Sequence, residues 1–188
     1  MPLHPRVEAF PWRFEVYHPE LEPVLPAVKQ FVSDALNHGE KRWLSLLGPS
    51  GVGKTFILKQ AFSVIERAVS FAKWQFPVQS GFRGAQIAHI KPARDLDDYK
   101  APKIFAGYDL LYIEDIGSGA DAGGGAGKVT KSRLMELLDL RTGKWTMLDA
   151  NLLRHDIERE LDGRIASRLK RDGSTCIELT GAVPDYWT

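Results

Sequence analysis

The segment from Gly48 to Thr55 carries the clearest chemical signature in the sequence. It reads Gly-Pro-Ser-Gly-Val-Gly-Lys-Thr and matches the pattern Gly-x-x-x-x-Gly-Lys-Thr in full. Glycines allow several backbone N–H groups to converge on one anion, where larger side chains would collide. Lys54 can contact the β- and γ-phosphates of a nucleotide, and the Thr55 hydroxyl can ligate Mg²⁺. The residues predicted to bind the phosphates are Gly48, Pro49, Ser50, Gly51, Val52, Gly53, Lys54 and Thr55.

The segments on either side of this loop support the same interpretation. The apolar run 43–47 predicts a buried strand, and the pattern after it predicts a helix from Lys54 to about Phe71. A helix that begins at the loop directs its partial positive charge at the phosphates. A chance glycine-rich turn would lack both neighbours, so the context favours a nucleotide site.

A second apolar strand, predicted at 109–113, is followed by two carboxylates. Glu114 and Asp115 come about 60 residues after the loop lysine. A phosphate loop needs an acidic residue at the end of a neighbouring strand to hold Mg²⁺ through water, and a second carboxylate can orient the attacking water. The alternative is a solvated acidic turn after a core strand. With the phosphate loop present, the catalytic interpretation is favoured.

The remaining elements follow from apolar periodicity. The predicted helices are 25–36, 92–99, 131–141 and 153–169, the last with a break near residues 162–163, and the further strands are 85–90, 145–148 and 175–179. Strands that alternate with helices predict an α/β fold: a five-stranded parallel sheet in a three-layer sandwich. Loops are predicted at 77–84 and at 117–127, where six of eleven residues are glycine. Residues 1–23, rich in proline and aromatic residues, are predicted to form an irregular arm.

Composition narrows the class of protein. The chain has 188 residues, of which 44% are apolar and 26% charged, which suits one globular domain and excludes a wholly disordered chain. A net charge of +1 argues against a generally basic nucleic-acid binder but leaves room for a local patch. The apolar runs fall far short of the roughly 20 residues of a membrane helix, and no signal-peptide stretch begins the chain. The one cysteine, Cys176, can form no internal disulfide. A cytoplasmic location is expected.

Several motifs in a fixed order resemble the AAA+ ATPase domain of the DnaC/IstB group. After the phosphate loop they are Asp-Leu-Leu-Tyr-Ile-Glu-Asp-Ile-Gly at 109–117, Leu-Asp-Ala-Asn-Leu at 148–152, Arg-Ile-Ala-Ser-Arg-Leu at 164–169 and Ile-Glu-Leu-Thr-Gly at 177–181. The group comprises bacterial and phage helicase loaders and the helper ATPases of some transposons. The resemblance covers residues 24–188. It implies a P-loop NTPase domain of AAA+ type, without a helical lid domain, that uses ATP and Mg²⁺.

The resemblance also implies roles for individual residues. Glu114 takes the metal position, and Asp115 follows it as the second acidic residue. Asn151 resembles the sensor residue that helps to position water near the γ-phosphate, although an asparagine there could instead cap a helix. Arg168 resembles the arginine finger that reaches the ATP of a neighbouring subunit, and Arg164 is the alternative. Either arginine could instead form an ion pair on the surface.

Three departures from the group's pattern bear on function. The group usually has Asp followed by Asp or Glu where this sequence has Glu114 and Asp115, which affects the expected hydrolysis rate more than nucleotide binding. Only the aromatic arm precedes the ATPase domain, where such loaders often carry a partner-binding domain. The glycine-rich insert 117–127 is unusually long.

The sequence thus predicts an ATPase that assembles through ATP-bridged subunits and loads or remodels a DNA-bound partner, such as a helicase or transposase. Single-stranded DNA is a candidate ligand of Lys128, Lys131 and Arg133, with Arg83, Lys100 and Lys103 as a second group. These side chains could equally form a solvated charged surface. The alternative function is a nucleotide-gated binding module with weak or no hydrolysis. A small-molecule kinase is disfavoured because no arginine-rich lid is evident.

Overall fold

One parallel β-sheet organises the chain. The computed structural model describes residues 19–37, 40–75, 85–117, 124–170 and 173–179. Its strands are β1 (Trp43–Leu47), β2 (Ile87–Ile90), β3 (Leu110–Ile116), β4 (Trp145–Ala150) and β5 (Thr175–Glu178). They lie in the order β2-β3-β4-β1-β5, and every neighbouring pair is parallel. The predicted five-stranded α/β sheet is confirmed, and its carboxyl-terminal edge gathers the loop after β1 and the ends of β3 and β4.

Helices connect the strands and cover both faces of the sheet. They are α1 (Leu25–Leu36), α2 (Lys54–Gln75), α3 (Pro92–Asp95), α4 (Ala101–Ala106), α5 (Gly124–Leu140), α6 (Arg154–Asp156) and α7 (Gly163–Arg168). A 3-10 helix, Pro19–Val24, precedes α1, and a π-helical turn, Ile157–Leu161, joins α6 to α7. None of the helices in the described part of the chain is both long and apolar enough to span a membrane.

Two apolar clusters, one on each face, hold the three layers together. On one face, residues of α1 and α2 such as Phe31 and Leu58 pack against Leu44 and Leu46 of β1. On the other face, α5 and α7 pack against Leu111, Ile113 and Leu148. Alternate residues of β1 belong to different clusters, as the period of a strand requires. Continuous burial of all five β1 residues is typical of a parallel strand covered on both sides.

The segment predicted as one short helix, 92–99, is a single turn, α3, that ends at Asp95, and a second helix, α4, was not predicted. The Asp98 carboxylate accepts a hydrogen bond from the backbone N–H of Lys100 at 2.7 Å and ends the first segment in a turn. Pro102 then stands in the first turn of α4, where a missing N–H costs nothing. That proline was the signal in the sequence for a new helix.

The prediction of a loop across 117–127 was wrong at its carboxyl-terminal end. Helix α5 begins at Gly124, so residues 124–127 are helical, while residues 118–123 lie outside the described part of the chain. Glycine costs about 1 kcal/mol per residue in a helix interior. Residues that extend an existing packed helix add a hydrogen bond each, and Leu134, Leu137 and Leu138 anchor α5 in the core. Propagation from that anchor outweighs the local propensity of the glycines.

Other predictions were confirmed with small shifts. The break near residues 162–163 exists, and the Asp162 carboxylate caps α7 by accepting from the Arg164 backbone N–H at 2.8 Å. Of the predicted arm 1–23, residues 1–18 lie outside the described part. Its end forms the 3-10 helix, where Leu21 and Val24 are buried in the core. The predicted loop 77–84 also lies outside the described residues.

At the amino-terminal edge of the sheet, Arg141 is fully buried and links the segment that precedes β3 to the start of β4. Its guanidinium donates to the backbone carbonyls of Ala106, Tyr108, Asp109 and Trp145 and to the Thr146 hydroxyl. Burial lowers the pKa of Arg141, to about 10, so the group keeps its charge at neutral pH. Five acceptors meet the five N–H donors of the guanidinium.

We expect Arg141→Met to lower the free energy of unfolding by about 2–4 kcal/mol, because buried carbonyls would lose their donors. Arg141→Lys keeps the charge, but one ammonium group cannot reach all five acceptors, so it should also destabilise the protein. Urea denaturation measures both. Full stability of the lysine variant would show that charge alone, rather than the planar fork of donors, accounts for the role of Arg141.

Candidate nucleotide-binding site

The loop 48–53 leaves β1 in a conformation that depends on glycine. Gly48, Gly51 and Gly53 have φ angles of +143°, +83° and +85°. These values lie in the region that side chains other than glycine rarely adopt. The loop ends at the first residue of α2, so the helix N-terminus and the loop N–H groups lie together. The predicted strand–loop–helix context is confirmed.

Gly48 also lies where three strands converge. Its N–H donates to the carbonyl of Ala150, the last residue of β4, at 3.2 Å, and the N–H of Leu179 after β5 donates to the Leu47 carbonyl at 2.8 Å. A Cβ added at Gly48 would lie 2.4 Å from the Leu179 carbonyl oxygen. The backbone of β1 can therefore pass between β4 and β5 at this point only with glycine.

Lys54 is buried and connects the loop to the ends of β3 and β4. Its ammonium donates to the Pro49 carbonyl at 2.6 Å and to the Asn151 side-chain oxygen at 3.4 Å. The Asn151 amide in turn donates to the Asp115 carboxylate. Burial lowers the pKa of Lys54, while the carboxylates of Asp149 and Asp115 oppose that shift. The structure thus brings together three residues that the sequence singled out: Lys54, Asp115 and Asn151.

A β-bulge in β3 separates the two predicted catalytic carboxylates. Ile113 pairs with Leu148 and Ile116 pairs with Ala150, so Glu114 and Asp115 together face one β4 residue, Asp149. Asp115 has a φ of +67°, the one positive φ outside glycine among the described residues. Bulges re-aim side chains and are frequent next to active sites. Here the bulge directs Asp115 toward Asn151, while Glu114 contacts groups on α2 and β2.

Asp149 and Tyr112 are two site residues to which the sequence analysis gave no role. Asp149 is fully buried, and its two oxygens accept hydrogen bonds from the Asp115 N–H at 2.9 Å and the Tyr112 hydroxyl at 2.5 Å. Burial raises the pKa of Asp149, and these hydrogen bonds partly offset the shift. The Tyr112 hydroxyl also lies close to the Thr55 side chain. An aspartate in an otherwise apolar central strand was the available signal.

Glu114 lies in a cluster of basic side chains. One carboxylate oxygen is 3.0 Å from the ammonium groups of both Lys59 and Lys91, and the other is 2.5 Å from Nε2 of His89. Burial alone would raise the pKa of Glu114, but hydrogen bonds from Lys59 and Lys91 outweigh it and lower the pKa below its usual value. Glu114 is therefore ionised, and the basic groups around it balance its negative charge.

This arrangement bears on the predicted magnesium ligands, Thr55 and Glu114. Thr55 lies at the start of α2 beside Lys54, as a ligand to phosphate-bound Mg²⁺ requires. Glu114 was predicted to hold Mg²⁺ through water, but lysine and histidine nitrogens already contact both of its oxygens. Among the described residues, no group of three or more His, Cys, Asp and Glu side chains is arranged to hold a metal ion. We therefore assign no metal-dependent step to Glu114.

The two candidate finger arginines differ in exposure. Arg168 is 9% exposed, and its guanidinium donates to Asp139 at 2.5 Å and to the Arg164 carbonyl at 2.8 Å. The side chain of Arg164 is 70% exposed and pairs with Asp162. Arg168 thus ties α7 to α5 within its own chain, which does not suit a group that must reach a neighbour. Of the two, Arg164 has the accessibility that the predicted finger needs.

Two of the predicted DNA-binding residues, Lys131 and Arg133, are engaged with backbone carbonyls of the same chain. Lys131 donates to Glu160 at 2.9 Å, and Arg133 donates to the carbonyls of Leu96 and Asp97. The side chain of Lys128, like all of Arg83, lies outside the described part. In the second group, the Lys100 ammonium lies over the Tyr99 ring at 5.4 Å. These contacts favour structural roles for Lys131 and Arg133.

Solved structures share this fold. The DnaC helicase loader superimposes with a TM-score of 0.63 at 15% identity, covering 93% of this chain and 94% of the loader. DnaI gives 0.60 at 17% identity, covering 97% and 93%. The replication initiator DnaA bound to AMPPCP and single-stranded DNA gives 0.59 at 16% identity, covering 94% of this chain and 51% of DnaA. The chain therefore shares the fold of these proteins, as predicted, and its resemblance to the DnaC group is confirmed at the level of the fold.

The similarity lies in the fold rather than in the sequence. No protein-family model matches the chain, and no curated protein matches it significantly in sequence. The chain spans about half the length of DnaA and 48% of a solved DNA replication initiation factor. It therefore corresponds to one part of those proteins and to most of DnaC and DnaI.

Gly48→Ala and Gly143→Ala form a matched pair that tests the close approach of strands at the loop. Both glycines have positive φ, so alanine adds backbone strain at each, about 1 kcal/mol at Gly143 with its φ of +70° and more at Gly48 with its φ of +143°. A Cβ at Gly143 would meet nothing within 4 Å. We expect Gly48→Ala to lower the free energy of unfolding by about 2 kcal/mol more than Gly143→Ala in urea denaturation. Equal losses would mean that the contact with Leu179 relaxes at no cost.

Proposed function

We propose that the chain binds ATP with the loop 48–55 and hydrolyses it as an AAA+ protein. The observation that carries the proposal is the glycine-dependent loop between buried β1 and α2, with Lys54 buried against Asn151 and Asp115. This geometry supplies convergent N–H groups, a helix N-terminus and one cation for phosphate binding. It also places a carboxylate and an amide next to that cation.

Each residue has a distinct part in this proposal. Loop N–H groups bind the phosphates, and Lys54 exchanges its contact with the Pro49 carbonyl for one with a phosphate oxygen. Asp115 and Asn151, already hydrogen-bonded to each other, orient the attacking water. The Mg²⁺ that accompanies ATP would neutralise charge on the phosphates, and Thr55 is the residue that would hold it.

Lys54→Ala should abolish ATP binding, because the buried ammonium is the one side-chain cation in contact with the loop among the described residues. Lys29→Ala is the matched control, since Lys29 is exposed on α1. The measurements are equilibrium binding of AMPPCP and steady-state ATP hydrolysis across protein concentration, with and without single-stranded DNA. Wild-type affinity in Lys54→Ala would contradict the proposed site.

We further propose that ATP-bound chains assemble head to tail and act on a DNA-bound partner such as a helicase or transposase. The proposal is supported by the fold shared with a helicase loader and with a replication initiator described as bound to a nucleotide analogue and single-stranded DNA. A finger acting in trans would make turnover rise with protein concentration. Turnover that also rises with single-stranded DNA would support a role on DNA.

Arg164→Ala and Arg168→Ala separate the finger from a structural arginine. We expect Arg164→Ala to leave stability almost unchanged, because its ion pair is exposed, and to remove the dependence of turnover on protein concentration. Arg168→Ala should lower the free energy of unfolding by about 2–3 kcal/mol through its buried contacts. Urea denaturation and turnover at several protein concentrations distinguish them. Concentration dependence that survives in Arg164→Ala and is lost in a folded Arg168→Ala would reverse the assignment.

One observation favours the second candidate function, a nucleotide-gated binding module. Glu114, at the expected metal position, is compensated by Lys59, Lys91 and His89. A carboxylate held in this way contributes little to metal-assisted hydrolysis. AMPPCP binding without measurable ATP turnover at any protein concentration would support this function over the ATPase.

A further inference from the structure

A chain of polar contacts runs beneath the proposed phosphate site, from the P-loop threonine to the bulge in β3. The Thr55 side chain lies close to the Tyr112 hydroxyl, which donates a hydrogen bond to one oxygen of Asp149 at 2.5 Å. The other Asp149 oxygen accepts from the backbone N–H of Asp115 at 2.9 Å. The two ends of the chain, Thr55 and Asp115, are residues to which the proposed function gives direct roles.

Burial of the polar groups of Tyr112 and Asp149 lowers the stability of the fold. Tyr112 and Asp149 are both 0% exposed, and their neighbour Met147 on the same face of β4 is an ordinary apolar core residue. A buried carboxylate carries a desolvation penalty that an apolar residue of similar size would avoid. The core therefore does not need an acid at this position. Its contacts indicate a different use, because both of its oxygens bond groups that reach the proposed site.

Each contact answers a local chemical requirement. The bulge leaves the Asp115 N–H outside the regular β3–β4 ladder, and Asp149 accepts it, which holds Asp115 at its φ of +67°. A hydroxyl that offers its oxygen to a cation must direct its proton to another acceptor. For Thr55, the neighbouring side-chain oxygen that can accept this proton is that of Tyr112.

We propose that Asp149 and Tyr112 are positioning residues of the nucleotide site, with Asp149 fixing Asp115 directly and Thr55 through Tyr112. The inference rests on the proposed function and deepens it, since it identifies what orients the threonine and the second carboxylate. Glu114 cannot serve in this way, because its oxygens are engaged by Lys59, Lys91 and His89.

Tyr112→Phe is the central test, because it removes one hydroxyl and keeps the ring that packs against Phe62 and His89. Met147→Ala is the matched control: it creates a cavity on the same face of the sheet and touches none of the hydrogen bonds. The readouts are the affinity for AMPPCP with Mg²⁺, by titration calorimetry, and the free energy of unfolding in urea. We expect Tyr112→Phe to weaken AMPPCP binding about tenfold or more, and Met147→Ala to change it less than about twofold despite destabilising the protein.

Asp149→Asn is a conservative variant that tests whether the hydrogen bonds of Asp149, rather than its contribution to stability, determine AMPPCP affinity. The amide oxygen can still accept from the Asp115 N–H, and the amide N–H can donate to the Tyr112 oxygen, which reverses the direction of that bond. Because both contacts persist, we expect AMPPCP affinity within about threefold of wild type, and a lower free energy of unfolding because the Tyr112 proton loses its acceptor. Asp149→Val removes both contacts and should weaken binding at least as much as Tyr112→Phe. If Asp149→Val does not fold, the comparison of Tyr112→Phe with Asp149→Asn and Met147→Ala still decides the question.

The outcomes separate this inference from the proposed function. Wild-type protein that binds no AMPPCP overturns both. Wild-type protein that binds, together with Tyr112→Phe of unchanged affinity, overturns the inference alone. A loss of affinity in Tyr112→Phe that Met147→Ala matches also overturns it, because the effect would then follow stability rather than the chain of polar contacts.

Discussion

The bulge in β3 is the constraint on which the arrangement of charged groups depends. Without the extra residue, strict alternation along the strand would place Glu114 and Asp115 on opposite faces of the sheet, with Asp115 facing the cluster that holds Ile113. Two residues opposite Asp149 instead turn Asp115 toward the end of β4. The positive φ of Asp115 is unfavourable for a residue other than glycine, and the carboxylate of Asp149 stabilises it by accepting the N–H that the bulge frees.

Because of the bulge, the acidic groups divide into two clusters with separate cations. Glu114 contacts Lys59, Lys91 and His89, on the side of α2 and β2. Asp115 and Asp149 belong with Lys54, whose charge they help to keep in spite of burial. A phosphate that binds at the loop therefore meets a lysine held between a carbonyl and an amide, rather than a carboxylate in direct contact with it. Local neutrality before binding limits the desolvation penalty of burying a lone ammonium.

The sequence was sufficient for the elements whose signal is local. Short apolar runs such as 43–47 and 110–113 are typical of buried parallel strands in an α/β fold. A glycine-rich loop of this pattern between a strand and a helix has a known conformation. The bulge was not predictable, because Glu114 and Asp115 look like the end of a strand and the extra residue exists only in relation to β4. The pairing of Arg168 with Asp139, 29 residues away, likewise depends on how α5 and α7 pack. Apolar periodicity predicts helices and strands, but it does not predict which residues from different elements contact each other.

Two buried charged residues mark opposite ends of β4, and their contacts explain why only one end carries the proposed site. Near the start of the strand, all five donors of Arg141 have acceptors in the chain's own carbonyls and in Thr146, so nothing there is left to bind a ligand. Near its end, Asp149 accepts hydrogen bonds from Tyr112, whose hydroxyl lies close to Thr55 after the loop, and from the Asp115 N–H in the bulge. In a parallel sheet the carboxyl-terminal edge opens onto loops and helix N-termini, whereas the amino-terminal edge receives helix carboxyl termini, whose carbonyls attract a cation. Because of the direction of the parallel strands, the buried cation Arg141 has a structural role at the amino-terminal edge. The buried anion Asp149 lies at the carboxyl-terminal edge, next to the proposed site.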